Sequence, residues 1–261
     1  MIGVFDSGLG GLTVVRALME SLPDYDIIYF GDTARTPYGT KSSETVIRYA
    51  LQNTDFLINN GANIIVIACN TASSVATPEV TGKYDIPFFE VITPAVDHSL
   101  ETTKTNNIGV IGTRATINSG VYERKIKKKR PDAKVYSKPC PLLVPLVEEG
   151  WMKKPETKMI IKKYLHPLKV SQVDTLILGC THYPLLKEAI QSKIGKKVNI
   201  IDSALTVAGR VKTYIEANPD IDNLLTEHGK TEFYVSDITQ QFKETASTIL
   251  KRKIHLKQVK I

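Results

Sequence analysis

Ile64-Ile65-Val66-Ile67-Ala68-Cys69-Asn70-Thr71 is a short run of branched aliphatic residues closed by a small residue, a cysteine and two short polar side chains. Thr175-Leu176-Ile177-Leu178-Gly179-Cys180-Thr181-His182 repeats the design. An apolar run this short and this rich in branched residues, bounded by polar ones, reads as a strand buried on both faces. An earlier pair echoes in the same way: Ile2-Gly3-Val4-Phe5-Asp6-Ser7 is answered by Ile108-Gly109-Val110-Ile111-Gly112-Thr113. The two offsets, 106 and 111 residues, are nearly equal, which predicts two similar halves.

Working outward, further strands are predicted at 27–30, 88–91, 134–136, 198–201 and 231–235. Helix-period stretches lie between them at 42–59, 116–129, 155–168 and 204–217, the second placing Ile117, Val121 and Ile126 near one face. Strand–helix alternation implies parallel sheets covered by helices on both faces. The expected fold is therefore α/β, with two similar doubly wound parallel-sheet domains and the active site in the cleft between them. About 60 residues follow Asp202, too few for a third core, so they are expected to return to the first domain. The expected domains are 1–92 with 206–261, and 93–205, joined near Thr93-Pro94 and Ala204.

Composition narrows the function. The chain has 261 residues, 42% hydrophobic and 23% charged, the proportions of a water-soluble globular protein. No apolar run approaches the ~20 residues of a membrane-spanning helix, so no membrane partner is expected. The start, Met-Ile-Gly-Val-Phe-Asp, lacks the basic opening of a signal peptide, which points to the cytoplasm. There the three cysteines, Cys69, Cys140 and Cys180, remain thiols, and their spacing suits neither a disulfide framework nor a zinc site. The net charge of +7 comes largely from 125–130 and the 251–260 tail. These runs lack interleaved aromatics, so no nucleic-acid partner is expected, although a positive field favours an anionic small-molecule substrate.

In folds of this class ligands bind at the carboxyl ends of strands. Cys69 and Cys180 stand at such ends, in equivalent places of the two halves, with Ala68 and Gly179 leaving room for close approach of a substrate. If the halves face one another, two thiols reach one ligand from opposite sides. That arrangement suits inversion of a stereocentre, in which one thiolate removes a proton while the other thiol delivers one. A thiol with an ordinary pKa of about 8.5 can serve in either state. The Asp6-Ser7-Gly8-Leu9-Gly10-Gly11 turn lacks the glycine spacing of a dinucleotide site and the lysine of a phosphate loop. Asp6 can instead accept a hydrogen bond from an ammonium group or a thiol. His182 stands two residues after Cys180 and can orient or activate it. Glu148-Glu149 and the 31–39 loop are rich in polar groups, and nothing in the chain demands a metal or another cofactor. Cys140, between Pro139 and Pro141, has no counterpart and reads as structural.

Six blocks, 6–11, 31–39, 68–73, 110–113, 144–149 and 178–184, resemble in sequence and order the aspartate/glutamate racemase family, its glutamate branch in particular. The resemblance implies cofactor-independent interconversion of L- and D-glutamate, feeding D-glutamate to peptidoglycan synthesis, by a protein that commonly forms homodimers. It implies Cys180 acting on the L-enantiomer and Cys69 on the D-enantiomer, with Asp6 supporting Cys69 and His182 supporting Cys180. Glu148, or its neighbour Glu149, matches a further supporting acid. Asp6, Ser7, Tyr38, Gly39, Asn70, Thr71, Thr181 and His182 match positions that hold the substrate. Thr93 departs from the pattern, since many members are acidic there. Three other readings stand beside this one: an aspartate racemase with the same two thiols, a thiol oxidoreductase cycling Cys69 and Cys180 through a disulfide, and a nucleic-acid-binding protein.

Overall fold

A computed structural model describes residues 1–261. Its strands are β1 (Ile2–Asp6), β2 (Ile27–Gly31), β3 (Ile64–Ile67), β4 (Phe88–Glu90), β5 (Asn107–Gly112), β6 (Lys134–Pro139), β7 (Thr175–Gly179), β8 (Asn199–Asp202), β9 (Thr231–Val235) and β10 (Leu256–Gln258). They form two sheets, ordered β10-β9-β2-β1-β3-β4 and β6-β5-β7-β8. Every pairing is parallel. This is the two-sheet α/β architecture that the echoes predict. Both β2-β1-β3-β4 and β6-β5-β7-β8 run second, first, third, fourth in chain order. In each, the direction of winding reverses beside the first strand, which opens a crevice at the carboxyl ends. Cys69 lies just beyond β3 and Cys180 just beyond β7, so the two thiols occupy equivalent topological places at the two crevices.

Period-two alternation sorts the first sheet's side chains. Ile64, Val66 and Ala68 face the larger core, while Ile65, Ile67 and Cys69 face a smaller cluster with Phe5, Ile28 and Phe30 beneath the helix Ser43–Asn59. Each fully buried Ile or Val contributes about 1.5–3 kcal/mol. The larger core runs without a break through both sheets. It does so because the helices Leu12–Ser21, Ser203–Ala217 and Ile92–Thr102 pack in series. β9 and β10 extend the first sheet past β2, and β10 is a strand that the sequence pattern did not reveal. No helix is long and apolar enough to cross a membrane.

The chain leaves the first sheet at Glu90. Its carboxylate accepts from the N–H groups of Ile92 (2.5 Å) and Thr93 (2.9 Å) and so caps the helix that follows. Lys125, from a helix of the second sheet, lies 3.6 Å from Glu90 and donates to the Thr93 hydroxyl at 2.7 Å. At the return, Asp202 accepts from the N–H of Ala204 at 3.0 Å and caps the helix Ser203–Ala217.

The 116–129 stretch is not one helix. It is split between Arg114–Asn118 and Val121–Lys129, because Gly120 adopts φ +65°, a left-handed conformation that ends one helix and starts the other. Hydrophobic periodicity cannot register a break that keeps the same face buried. Gly120→Ala is expected to cost about 1 kcal/mol, since a Cβ is strained at this φ. A urea titration would show it as a lowered midpoint with unchanged slope.

Candidate active site

The ends of β3 and β7 meet at one chamber of about 20 Å³. Cys69 and Cys180 both line it, each from its own sheet. Among the expected site residues, Ser7, Tyr38, Gly39, Asn70, Thr71, Thr181 and His182 line it as well. Asp6 and Glu148 do not; they stand behind the wall. The volume suffices for about one water molecule, so the structure is closed and must open to admit a ligand.

On the Cys180 side the sulfur lies 3.8 Å from His182 Nδ1, and His182 Nε2 lies 3.2 Å from Glu148 Oε1. His182 is buried. Burial alone would drive the imidazole neutral, but the contacts with Cys180 and Glu148 outweigh it and raise the pKa to about 10. His182 thus favours the imidazolium at neutral pH, a cation beside the Cys180 sulfur. Glu148 closes the helix Leu143–Glu148. Its carbonyl accepts from Gln241 Nε2 at 3.3 Å, which ties it to the helix Gln240–Leu250. Glu149 points into an outer cavity and has no bond to His182, so Glu148 is the acid in contact.

On the Cys69 side the sulfur donates to Ser7 Oγ at 3.7 Å. Burial pushes this thiol up to about 12, and the Asp6 carboxylate adds to the rise. The Cys69 site therefore rests as S–H. Asp6, at the end of β1, accepts from the N–H groups of Gly8 (2.9 Å) and Gly11 (2.8 Å) and from Thr181 Oγ1 (3.3 Å). Burial raises its pKa, and the His182 charge and these donors pull the other way. Asp6 thus links the first crevice to a residue of the second.

Other side chains join the halves. Thr71 Oγ1 lies 3.0 Å from Thr113 Oγ1 and 3.3 Å from Thr116 Oγ1, a knot of hydroxyls across the cleft. Thr113, a wall residue of the chamber, is absent from the expected set. Its signal was present, since Thr113 is the counterpart of Ser7 in the Ile2/Ile108 echo. Asn70 has its amide engaged at the back of the chamber: Oδ1 accepts from Tyr122 at 2.6 Å and Nδ2 donates to Ser203 Oγ at 3.5 Å. Tyr38 directs its hydroxyl to Asp32, away from the chamber, and accepts from Asn53 at 3.1 Å. Arg35 bonds the same Asp32 at 2.7 Å and lies over the Tyr49 ring, fixing the 31–39 loop.

One local reading changes, that of Ala68 and Gly179, while Cys140 keeps the structural place read from the sequence. Gly179 and Ala68 are small for the sake of the sheet and core, not to admit a ligand, and neither lines the chamber. A Cβ on Gly179 would stand 2.8 Å from the Ile111 carbonyl. Cys140 is buried away from the chamber, its sulfur donating to the Lys138 carbonyl at 3.5 Å. No group of three or more His, Cys, Asp or Glu side chains is arranged to hold a metal ion.

Comparison with known proteins adds an independent line. Residues 11–210 match the family model described as Asp/Glu/hydantoin racemase. The chain is 45% identical over 260 residues to a glutamate racemase of Persephonella marina, covering 100% of this chain and 97% of that one. A crystal structure of a glutamate racemase isoform from Bacillus anthracis superposes with a TM-score of 0.94 at 35% identity, over 100% of this chain and 97% of that one. The Francisella tularensis glutamate racemase, solved in complex with D-glutamate, gives 0.91 at 42% identity over 99% and 96%.

Proposed function

The chain belongs to the Asp/Glu racemase family and is an isomerase, and from that premise we propose that it interconverts L- and D-glutamate by two-base proton transfer at Cα, without a cofactor. The observation that carries this reading is a thiol from each of two sheets, at equivalent strand ends, on one closed chamber. From L-glutamate, the Cys180 thiolate beside the His182 imidazolium removes the Cα proton. The electron pair left on Cα delocalises into the α-carboxylate. The Cys69 S–H then delivers its proton to the opposite face, giving D-glutamate, Cys180 as thiol and Cys69 as thiolate. From D-glutamate the roles reverse. The high affinity of Cys69 for its proton and the cation beside Cys180 fit a resting state with Cys69 as the acid and Cys180 as the base; which enantiomer meets Cys180 follows the family resemblance.

Asp6 and Ser7 serve the Cys69 side, and Glu148 holds His182 charged. Thr71, Thr181 and the hydroxyl of Thr113 are short donors suited to carboxylates, since hydrogen bonds to charged oxygens are strong. Asn70, Tyr38 and Gly39 complete the wall. The halves 1–92 with 206–261 and 93–205 separate to admit the amino acid. Following the family resemblance, the product is D-glutamate for peptidoglycan, made in the cytoplasm by a homodimer.

Deuterium uptake at Cα in D₂O tests the activity. Under reducing conditions and with no added cofactor, both glutamate enantiomers are expected to exchange and racemise, and aspartate to remain unlabelled. Exchange of aspartate alone would establish an aspartate racemase instead. Exchange of neither would sink the racemase reading and favour a redox role for the thiols.

A further inference from the structure

The closed chamber is flanked by two outer cavities of opposite charge. One, of about 80 Å³, is bounded by Pro37, Gly39, Thr113, Arg114 and Val144 among others, and Arg114 is its only charged side chain. Arg114 is exposed and joins no ion pair or hydrogen bond. The other, of about 320 Å³, carries Glu148, Glu149 and Asp237 and has neither lysine nor arginine in its lining. Pro37, Gly39, Thr113 and Val144 bound both the chamber and the Arg114 cavity, whereas Thr36 alone is shared with the acidic one.

The wall toward Arg114 is built from both halves, so domain separation opens it. At its centre Gly39, from the loop after β2, is set against Thr113, from the end of β5 in the other sheet, with Pro37 and Val144 beside them. The approach is so close that a Cβ on Gly39 would stand 2.7 Å from Thr113 Cβ. A small separation of the halves parts these residues and joins the cavity to the chamber. On the acidic side the way is barred by Glu148, bound to His182. Glutamate carries two carboxylates and one ammonium group at neutral pH, a net charge of about −1. A cation at the threshold raises its local concentration, and carboxylates at a threshold lower it.

We propose that the amino acid reaches the thiols through the Arg114 cavity, with the Gly39–Thr113 contact as the gate and Arg114 as the group that draws the anion in. The inference rests on the racemase reading and adds to it a direction of approach. Arg114 acts at a distance and takes no part in proton transfer.

Steering by an exposed charge is screened by salt, which separates it from a packing role. Arg114→Gln is expected to lower kcat/KM about fivefold at an ionic strength of about 20 mM, and to approach the wild type at about 500 mM. Arg114→Glu is expected to lose more at low salt and to recover in the same way. Asp237→Asn, which removes a charge from the acidic cavity, is expected to change kcat/KM by less than about twofold. A salt-independent loss in Arg114→Gln would overturn the proposal. So would an unaffected Arg114→Gln together with a salt-sensitive gain in Asp237→Asn. Failure of the racemase reading is distinct, because the wild-type enzyme would then exchange no Cα proton from glutamate at any salt concentration.

Discussion

Cys69→Ala and Cys180→Ala are each expected to lower racemisation by about 10³-fold or more, the upper part of the range for a positioned acid or base. On the proposed mechanism each thiol is the base for one enantiomer and the acid for the other, so neither variant completes an inversion. Deuterium exchange separates their defects. With L-glutamate in D₂O, Cys180→Ala has no base on the face that carries the proton, and Cα labelling is expected to disappear. Cys69→Ala keeps that base; its thiol can exchange with solvent and return a deuteron to the same face. Slow labelling without inversion is therefore expected from L-glutamate, and none from D-glutamate. The fold should survive, because each substitution removes a single buried sulfur and costs about 1 kcal/mol. Cys140→Ala is the matched control, a buried thiol away from the chamber, and should stay within about twofold of the wild-type rate. Near wild-type inversion by either Cys69→Ala or Cys180→Ala would end the two-thiol mechanism.

The Cys69/Cys180 pair was legible in the sequence because both the strands and their ends are encoded locally. A buried parallel strand must be short, branched and apolar, and the chain must turn polar where it meets the crevice. The doubled pattern then implied the doubled sheet. Contacts that the fold makes between distant segments left weaker traces. Glu148 and His182 are 34 residues apart in the chain, and nothing in Pro145-Leu146-Val147-Glu148-Glu149 distinguishes the glutamate that turns inward. Family resemblance brought the pair into view, and the helix Leu143–Glu148 decides between its members. Thr116 was hidden for another reason, since it lies within a stretch whose apolar period predicts one amphipathic helix. The left-handed Gly120 breaks that helix without disturbing the period. Asp32 and Arg35 show a third kind of loss. Their ion pair is local, but its partners Asn53 and Ser236 come from a helix and from the strand-end beside β2, and only the assembled sheet brings them together.

On the proposed mechanism His182→Asn is expected to lower kcat from L-glutamate by about 10²–10³-fold, because it removes the cation beside the Cys180 sulfur. Glu148→Gln should have a smaller effect near neutrality and a diagnostic one at alkaline pH. The sign follows from the balance at His182. Burial lowers its pKa, and the hydrogen bonds and charges of Cys180 and Glu148 raise it to about 10. In the wild type the imidazolium thus persists well above the ordinary histidine value, and kcat from L-glutamate should fall only as pH rises through about 10. Glu148→Gln removes one of the two raising partners and leaves the burial. The pKa must then fall, and the alkaline limb of kcat must move toward neutrality. The same balance appears in stability. The His182–Glu148 pair favours the fold fully below the unfolded histidine pKa of about 6.5, and its contribution disappears as pH rises through the folded value. Thermodynamics constrains how the kinetic effect can be distributed. The enantiomers have equal free energies in water, so kcat/KM must be the same in both directions for every variant at every pH. An asymmetric device such as His182–Glu148 can therefore show its direction only in kcat and KM taken separately. The measurement is a pair of kcat profiles, from L- and from D-glutamate, between about pH 6 and 11, in the wild type and Glu148→Gln. The limb should shift for the direction that begins at Cys180. A limb that stays in place would mean that Glu148 braces the helix end rather than holding the charge on His182.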